Sequence, residues 1–106
     1  MTLNDLSKRA LADSVSWFPH LHAGDVYEKL GYFALALGGE AGELQNVVKK
    51  IIRDGLTPEL VDSATEELAD VVTYALLFAG VFHLDLDAAL EAKRNICVER
   101  WGTHEV

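Results

Sequence analysis

The strongest constraint in this sequence is a single interruption, Asp54-Gly55 followed by Thr57-Pro58, between two long runs with helical patterning. Gly55 favours the left-handed conformation that closes a helix. Thr57 is a good N-cap and Pro58 suits the first helical position. The run before it opens at Asp25 with Glu28 three residues on, which is a capping box, and extends to about Arg53. The run after it extends to about Phe82, with a second start signal at Ser63 and Glu66 that predicts a break near Asp62. Two helices separated by so short a turn can fold back on each other as an antiparallel hairpin.

A first helix is expected from about Leu3 to Phe18, capped by Thr2 with Asp5 and ended by Pro19. Pro19 to Gly24 reads as a loop. Asp85 caps a fourth helix that runs to about Trp101. No segment alternates with period two for long enough to form a convincing strand. The expected fold is all-α, a bundle of about four helices in a single domain over 1–106.

The second helix is about 40 Å long at 1.5 Å per residue, whereas a compact domain of this size has a radius of gyration near 13 Å. The stretch from Val71 to Phe82 is apolar nearly all round, which calls for burial on more than one side. A homodimer with a shared helical core is the economical solution, and a tetramer made of two such dimers is compatible with it. The alternative is a monomer that packs everything against helices one and four.

Seventeen acidic side chains oppose nine basic ones, a formal charge of −8. Such a surface repels phosphate backbones and anionic membranes, which argues against a nucleic-acid or membrane partner. The longest apolar stretch, Val71 to Leu84, is shorter than the roughly 20 residues of a membrane-spanning helix. The single cysteine, Cys97, forms no internal disulfide, and the first ten residues do not resemble a secretory signal. A cytoplasmic location is expected.

The acids are patterned. Glu40 and Glu43, then Glu67 and Asp70, are each spaced i, i+3, so each pair projects from one helix face. Glu43 lies 12 residues before Gly55 and Glu67 lies 12 after it. In an antiparallel hairpin the pairs therefore reach the same height, with four carboxylates across one groove. They cannot all stay ionised without a counter-charge. Hard oxygen ligands so arranged suit Mg²⁺ or Mn²⁺, with water and a substrate phosphate completing the shell. Either pair alone is also what an ordinary solvated helix face looks like. A di-iron site is disfavoured because neither Glu40 nor Glu67 is followed by the expected Glu-x-x-His partner. Gly38, Gly39 and Gly42 surround the first pair, where close approach of a helix or ligand is a reason for glycine.

Gly39-Glu40-Ala41-Gly42-Glu43-Leu44 followed by Glu66-Glu67-Leu68-Ala69-Asp70-Val71 resembles the Glu-x-x-Glu, Glu-x-x-Asp signature of the all-α nucleoside triphosphate pyrophosphohydrolases, the MazG-like and dimeric dUTPase-type enzymes. The resemblance spans roughly Leu30 to Trp101. It implies Mg²⁺-dependent hydrolysis of a (deoxy)nucleoside triphosphate to monophosphate and pyrophosphate, with water attacking the α-phosphorus. Glu40, Glu43, Glu67 and Asp70 become the metal ligands. Glu43 is the first choice to accept the proton of the attacking water, with Glu40 beside it in the same catalytic set. Lys93 and Arg100, seven residues apart and so on one face of the fourth helix, are the expected partners of the leaving pyrophosphate. Arg94 and Asn95 fall to the side.

Lys50, seven residues after Glu43, lies on the carboxylate face, with Lys49 and Arg53 nearby. Tyr74, four residues after Asp70, is placed to pack on sugar or base. Trp17, Phe18, His20 and His22 form an aromatic, polar entrance, with at least one of them structural. Tyr74, Lys50, Asn95 and Trp17 make up the expected substrate-binding set. Cys97 departs from the family, where a polar residue is common four after the lysine. The competing function is a non-catalytic helical interaction or nucleotide-sensing module that keeps the fold.

Overall fold

A computed structural model describes residues 1–103. Four helices, α1 (Leu3–Trp17), α2 (Val26–Asp54), α3 (Pro58–Val81) and α4 (Leu86–Trp101), follow in order, and no strand occurs among the described residues. A short 3₁₀ turn, Pro19–His22, lies inside the expected loop. The fold is all-α, and each expected boundary falls within a residue or two.

The caps act as the sequence suggests. Thr2 and Asp5 cap α1 reciprocally, Asp25 and Glu28 cap α2, and Thr57 Oγ1 accepts from Leu60 N–H at the start of α3. Gly55 closes α2 with φ of 94°, a conformation that a Cβ would strain. The expected break near Asp62 is absent, and α3 is continuous. Ser63 and Glu66 resemble a start signal, but nothing before them stops the helix already begun at Thr57-Pro58. Neither Gly nor Pro interrupts it until Gly80.

The most extensive packing joins α2 to α3, and α1 then lies across α3. Phe33 and Val47 of α2 are buried with Leu76, Leu77 and Ala79 of α3, and Phe33 is fully enclosed. At Gly80, α1 and α3 approach so closely that a Cβ would stand 2.7 Å from the Ser7 carbonyl oxygen and 3.2 Å from Leu11 Cβ. Glycine there is a packing requirement rather than a cap.

The chain bends by 111° between α3 and α4. His83, with φ of 55°, takes the left-handed step in that turn. Helix α4 is then held by a polar lock at its start. Asn4 Oδ1 accepts from Leu86 N–H at 2.9 Å, and Asn4 Nδ2 donates to Asp85 at 2.8 Å. In return the Asp87 carboxylate accepts from the backbone N–H groups of Leu3 and Asn4, at 3.1 and 3.0 Å. The first turns of α1 and α4 thus cap one another, satisfying donors that each helix leaves free. Beyond that lock α4 packs sparsely on α1 and at most marginally on α2 and α3.

The resulting shape is open, with a radius of gyration of 16.6 Å and extents of 43 × 38 × 25 Å. Among the described residues, no single helix is long and apolar enough to cross a membrane.

Candidate metal centre and adjoining cavity

The α2–α3 hairpin brings the acidic pairs to the same height. One carboxylate oxygen each from Glu40, Glu67 and Asp70 lies within 4.8 Å of the others. Glu40 and Glu67 are half-buried and Asp70 is exposed, so the cluster opens to solvent on one side. Glu67 Oε2 is buried without a hydrogen-bond partner. An ionised oxygen in that position needs a cation or a proton. Three carboxylates converging in one groove, with a buried and unpaired oxygen on one of them, fit a divalent ion that takes several oxygen ligands.

The electrostatics point the same way. The Glu40 carboxyl is pushed above its ordinary value first by loss of water, then by the charges of Asp70, Glu43 and Glu67. Glu67 is raised by loss of water, then by Glu43, Asp70 and Glu66. The neighbouring charges acting on both groups are all carboxylates. Glu43 is exposed and stands outside the group of three converging oxygens, although its charge bears on Glu67 more than any other.

Tyr74, one helical turn beyond Asp70, is half-buried. Desolvation and then Tyr32, Glu40 and Asp70 raise its hydroxyl above the usual phenol range. Its ring also lines a cavity of about 340 Å³ between α1 and α3. Trp17 and Phe18 face the same cavity, so the aromatic entrance and Tyr74 are brought together. Arg9, Asp13 and Ser14 supply its polar wall, and none of them was expected from the sequence. The signal was the spacing Leu6, Ala10, Asp13 and Trp17, which sets polar groups on the buried side of α1. Of the two histidines in the turn, His22 is structural. Its Nε2 is 2.8 Å from Ser14 Oγ, and its ring packs on Phe33 with centroids 5.4 Å apart.

The cations are elsewhere. Among the described residues the one ion pair is Arg53 with Asp54, at 2.6 Å. Lys50 is exposed and pairs with none of the acids. Lys93, Asn95 and Arg100 are exposed on α4, away from the groove of their own chain, with Arg100 lying over the Trp101 ring. The space beside Gly38, Gly39 and Gly42 is also open, and no helix of the same chain approaches them.

The chain is 36% identical over 88 residues to the gene 37 protein of Mycobacterium phage L5, an alignment covering 80% of this chain and 75% of the phage protein. It belongs to the family of that phage protein. No family model matches the chain, and no solved structure matches it.

Proposed function

We propose that this chain is a Mg²⁺-dependent (Mn²⁺ also suits the ligands) nucleoside triphosphate pyrophosphohydrolase of the MazG-like kind, acting in the cytoplasm as a homodimer or a pair of dimers. The observation that carries this reading is the convergence of Glu40, Glu67 and Asp70 carboxylates, with one Glu67 oxygen buried and unpartnered, beside an aromatic cavity. A bound divalent ion would neutralise the triphosphate and orient water.

The chain's own residues account for the rest. Glu40, Glu67 and Asp70 hold the cation, with Glu43 at the rim to take the proton of water attacking the α-phosphorus. Tyr74 spans the cluster and the cavity, where a flat, partly polar ring fits between Trp17 and Phe18 while Arg9, Asp13 and Ser14 offer hydrogen bonds. The cavity therefore suits the base, and the acidic groove suits the phosphates once metal is present.

Incubation with a panel of dNTPs and NTPs, with products resolved, tests the proposal. Monophosphate and pyrophosphate are expected, lost in Glu67→Gln with the helical signal retained. Orthophosphate release excludes the proposed bond cleavage. Coupled binding of metal and triphosphate without turnover identifies a nucleotide sensor instead. No binding leaves the interaction module, a reading favoured by the amount of apolar surface left open.

A further inference from the structure

The cavity between α1 and α3 adjoins the acidic cluster at a spacing that suits one nucleotide. Its α3 wall is Thr73, Tyr74, Leu76 and Leu77, three to seven residues past Asp70. At 1.5 Å per residue that is about 5–10 Å along the helix, room for a sugar between metal-bound phosphates and a base in the cavity. Tyr74 bridges the two, since its hydroxyl feels the charges of Glu40 and Asp70 while its ring faces the cavity. Trp17 and Phe18, both exposed, leave aromatic surface on which a base can stack.

The polar groups of the cavity then decide which base. Thr73 Oγ1 already donates to the Ala69 carbonyl oxygen at 2.8 Å, and Ser14 Oγ is paired with His22. Arg9 and Asp13 remain. They are four residues apart on α1 and so share a face, with Trp17 four further on. An Arg and an Asp at that spacing could neutralise each other, but the one ion pair among the described residues is Arg53 with Asp54. Asp13 is half-buried, and Arg9 makes only a weak contact with Met1 Sδ at 3.8 Å. Both therefore keep their hydrogen-bonding capacity for a ligand.

A carboxylate only accepts hydrogen bonds and a guanidinium only donates them. Asp13 thus needs donors on the base, and Arg9 needs acceptors. Of the common bases, guanine alone offers two adjacent donors, N1–H and the 2-amino group, to both oxygens of a carboxylate. It carries two acceptors, O6 and N7, beside them. Adenine and cytosine set a ring-nitrogen lone pair next to their single amino group, and uracil and thymine flank N3–H with two carbonyls. Each of those turns a lone pair toward the second carboxylate oxygen, where it is repelled. One helical turn, about 6 Å, separates Arg9 from Asp13, comparable with the distance between the two sides of guanine.

We infer that the cavity selects a guanine base, Asp13 accepting from N1–H and the 2-amino group while Arg9 donates to O6 and N7. Asp13 is the residue that sets specificity. The inference rests on the nucleotide-binding part of the function proposed above, not on which phosphate bond is cleaved.

Calorimetric titration of the full chain with Mn²⁺ and non-hydrolysable α,β-imido triphosphates of guanosine, adenosine, cytidine and uridine, in ribo and deoxy forms, tests it. The guanine analogue is expected to bind at least about tenfold more tightly than the others. Asp13→Asn keeps the shape of the side chain but replaces one acceptor oxygen with a donor. It should weaken the guanine analogue about tenfold and tighten by a similar factor the xanthine analogue, which has a carbonyl in place of the 2-amino group. A gain for xanthine cannot come from a damaged fold. Arg9→Ala should weaken the guanine analogue about fivefold, and an unchanged affinity would overturn the part given to Arg9. Equal binding of all four bases, or a guanine-to-xanthine ratio that Asp13→Asn leaves unmoved, overturns the inference even if the wild-type chain releases pyrophosphate from triphosphates. Guanine-selective binding without turnover supports it and removes the hydrolytic reading instead. No binding of any analogue overturns both.

Discussion

The α2–α3 hairpin and the α4 arm are helices of comparable regularity, yet they are stabilised in opposite ways. The hairpin is closed by a glycine turn and welded by Phe33, Val47, Leu76 and Leu77, so the groove between its helices has a fixed register. The arm has sound caps and almost no core, and its orientation is set by polar contacts made through Asn4 and Asp87. Burial fixes where the carboxylates meet. Capping fixes only a direction for α4 and leaves its apolar and basic side chains exposed. The acidic cluster is therefore held by packing, and the direction of α4 by caps.

The sharpest way to break this contrast is at Phe33. Phe33→Ala should cost about 3–5 kcal/mol, most of the stability of so small a core, and should scatter the cluster. Chemical denaturation measures it, and a loss below about 1 kcal/mol would mean that the hairpin is held by something other than this packing. On the chemical side, Glu67→Gln should lower turnover at least about 100-fold with no loss of helix. A rate near wild type would remove Glu67 from the ligand set.

Smaller effects separate the two regions further. Gly80→Ala should destabilise by about 1 kcal/mol net, overpacking against Ser7 and Leu11 outweighing the gain in helix propensity. Asp87→Ala should cost about 1 kcal/mol through two lost caps. It should leave metal binding by the hairpin intact, as calorimetric titration with Mn²⁺ would report. Coupled loss of metal binding would show that the arm and hairpin are not independent.

The smallest expected effect concerns pH. Glu40 and Glu67 have folded pKa values above their unfolded ones, so the folded chain binds more protons in that window. Stability contributed by the cluster falls as pH rises from the ordinary glutamate range through the raised values, and the full penalty is present above them. Wild type should lose stability relative to Glu67→Gln across that rise, and Mg²⁺ or Mn²⁺ should restore it. Melting curves for both proteins over a pH series test the sign. A difference that shrinks with rising pH would contradict it.

What was legible in the sequence divides along the same line. The hairpin could be read because Gly55 and Pro58 mark its turn and because Glu43 and Glu67 are equidistant from that turn. Those are local signals with a geometric consequence. The false break at Asp62 came from a real capping pattern placed where no helix needed a start. The polar wall of the cavity was missed because Arg9, Asp13 and Ser14 belong to a helix whose partner is α3, far along the chain. The course of α4 could not be read at all. It depends on the left-handed step at His83 and on the pairing of Asn4 with Asp87, neither of which leaves a pattern in hydrophobicity or charge.

The central claim is that the hairpin's carboxylates, with a divalent cation, direct water to the α-phosphorus of a nucleoside triphosphate. Turnover of the accepted substrate in H₂¹⁸O with Mg²⁺, followed by mass analysis of the products, tests it directly. The account predicts ¹⁸O in the nucleoside monophosphate and none in the pyrophosphate. Label in the pyrophosphate, or release of orthophosphate in its place, would contradict it.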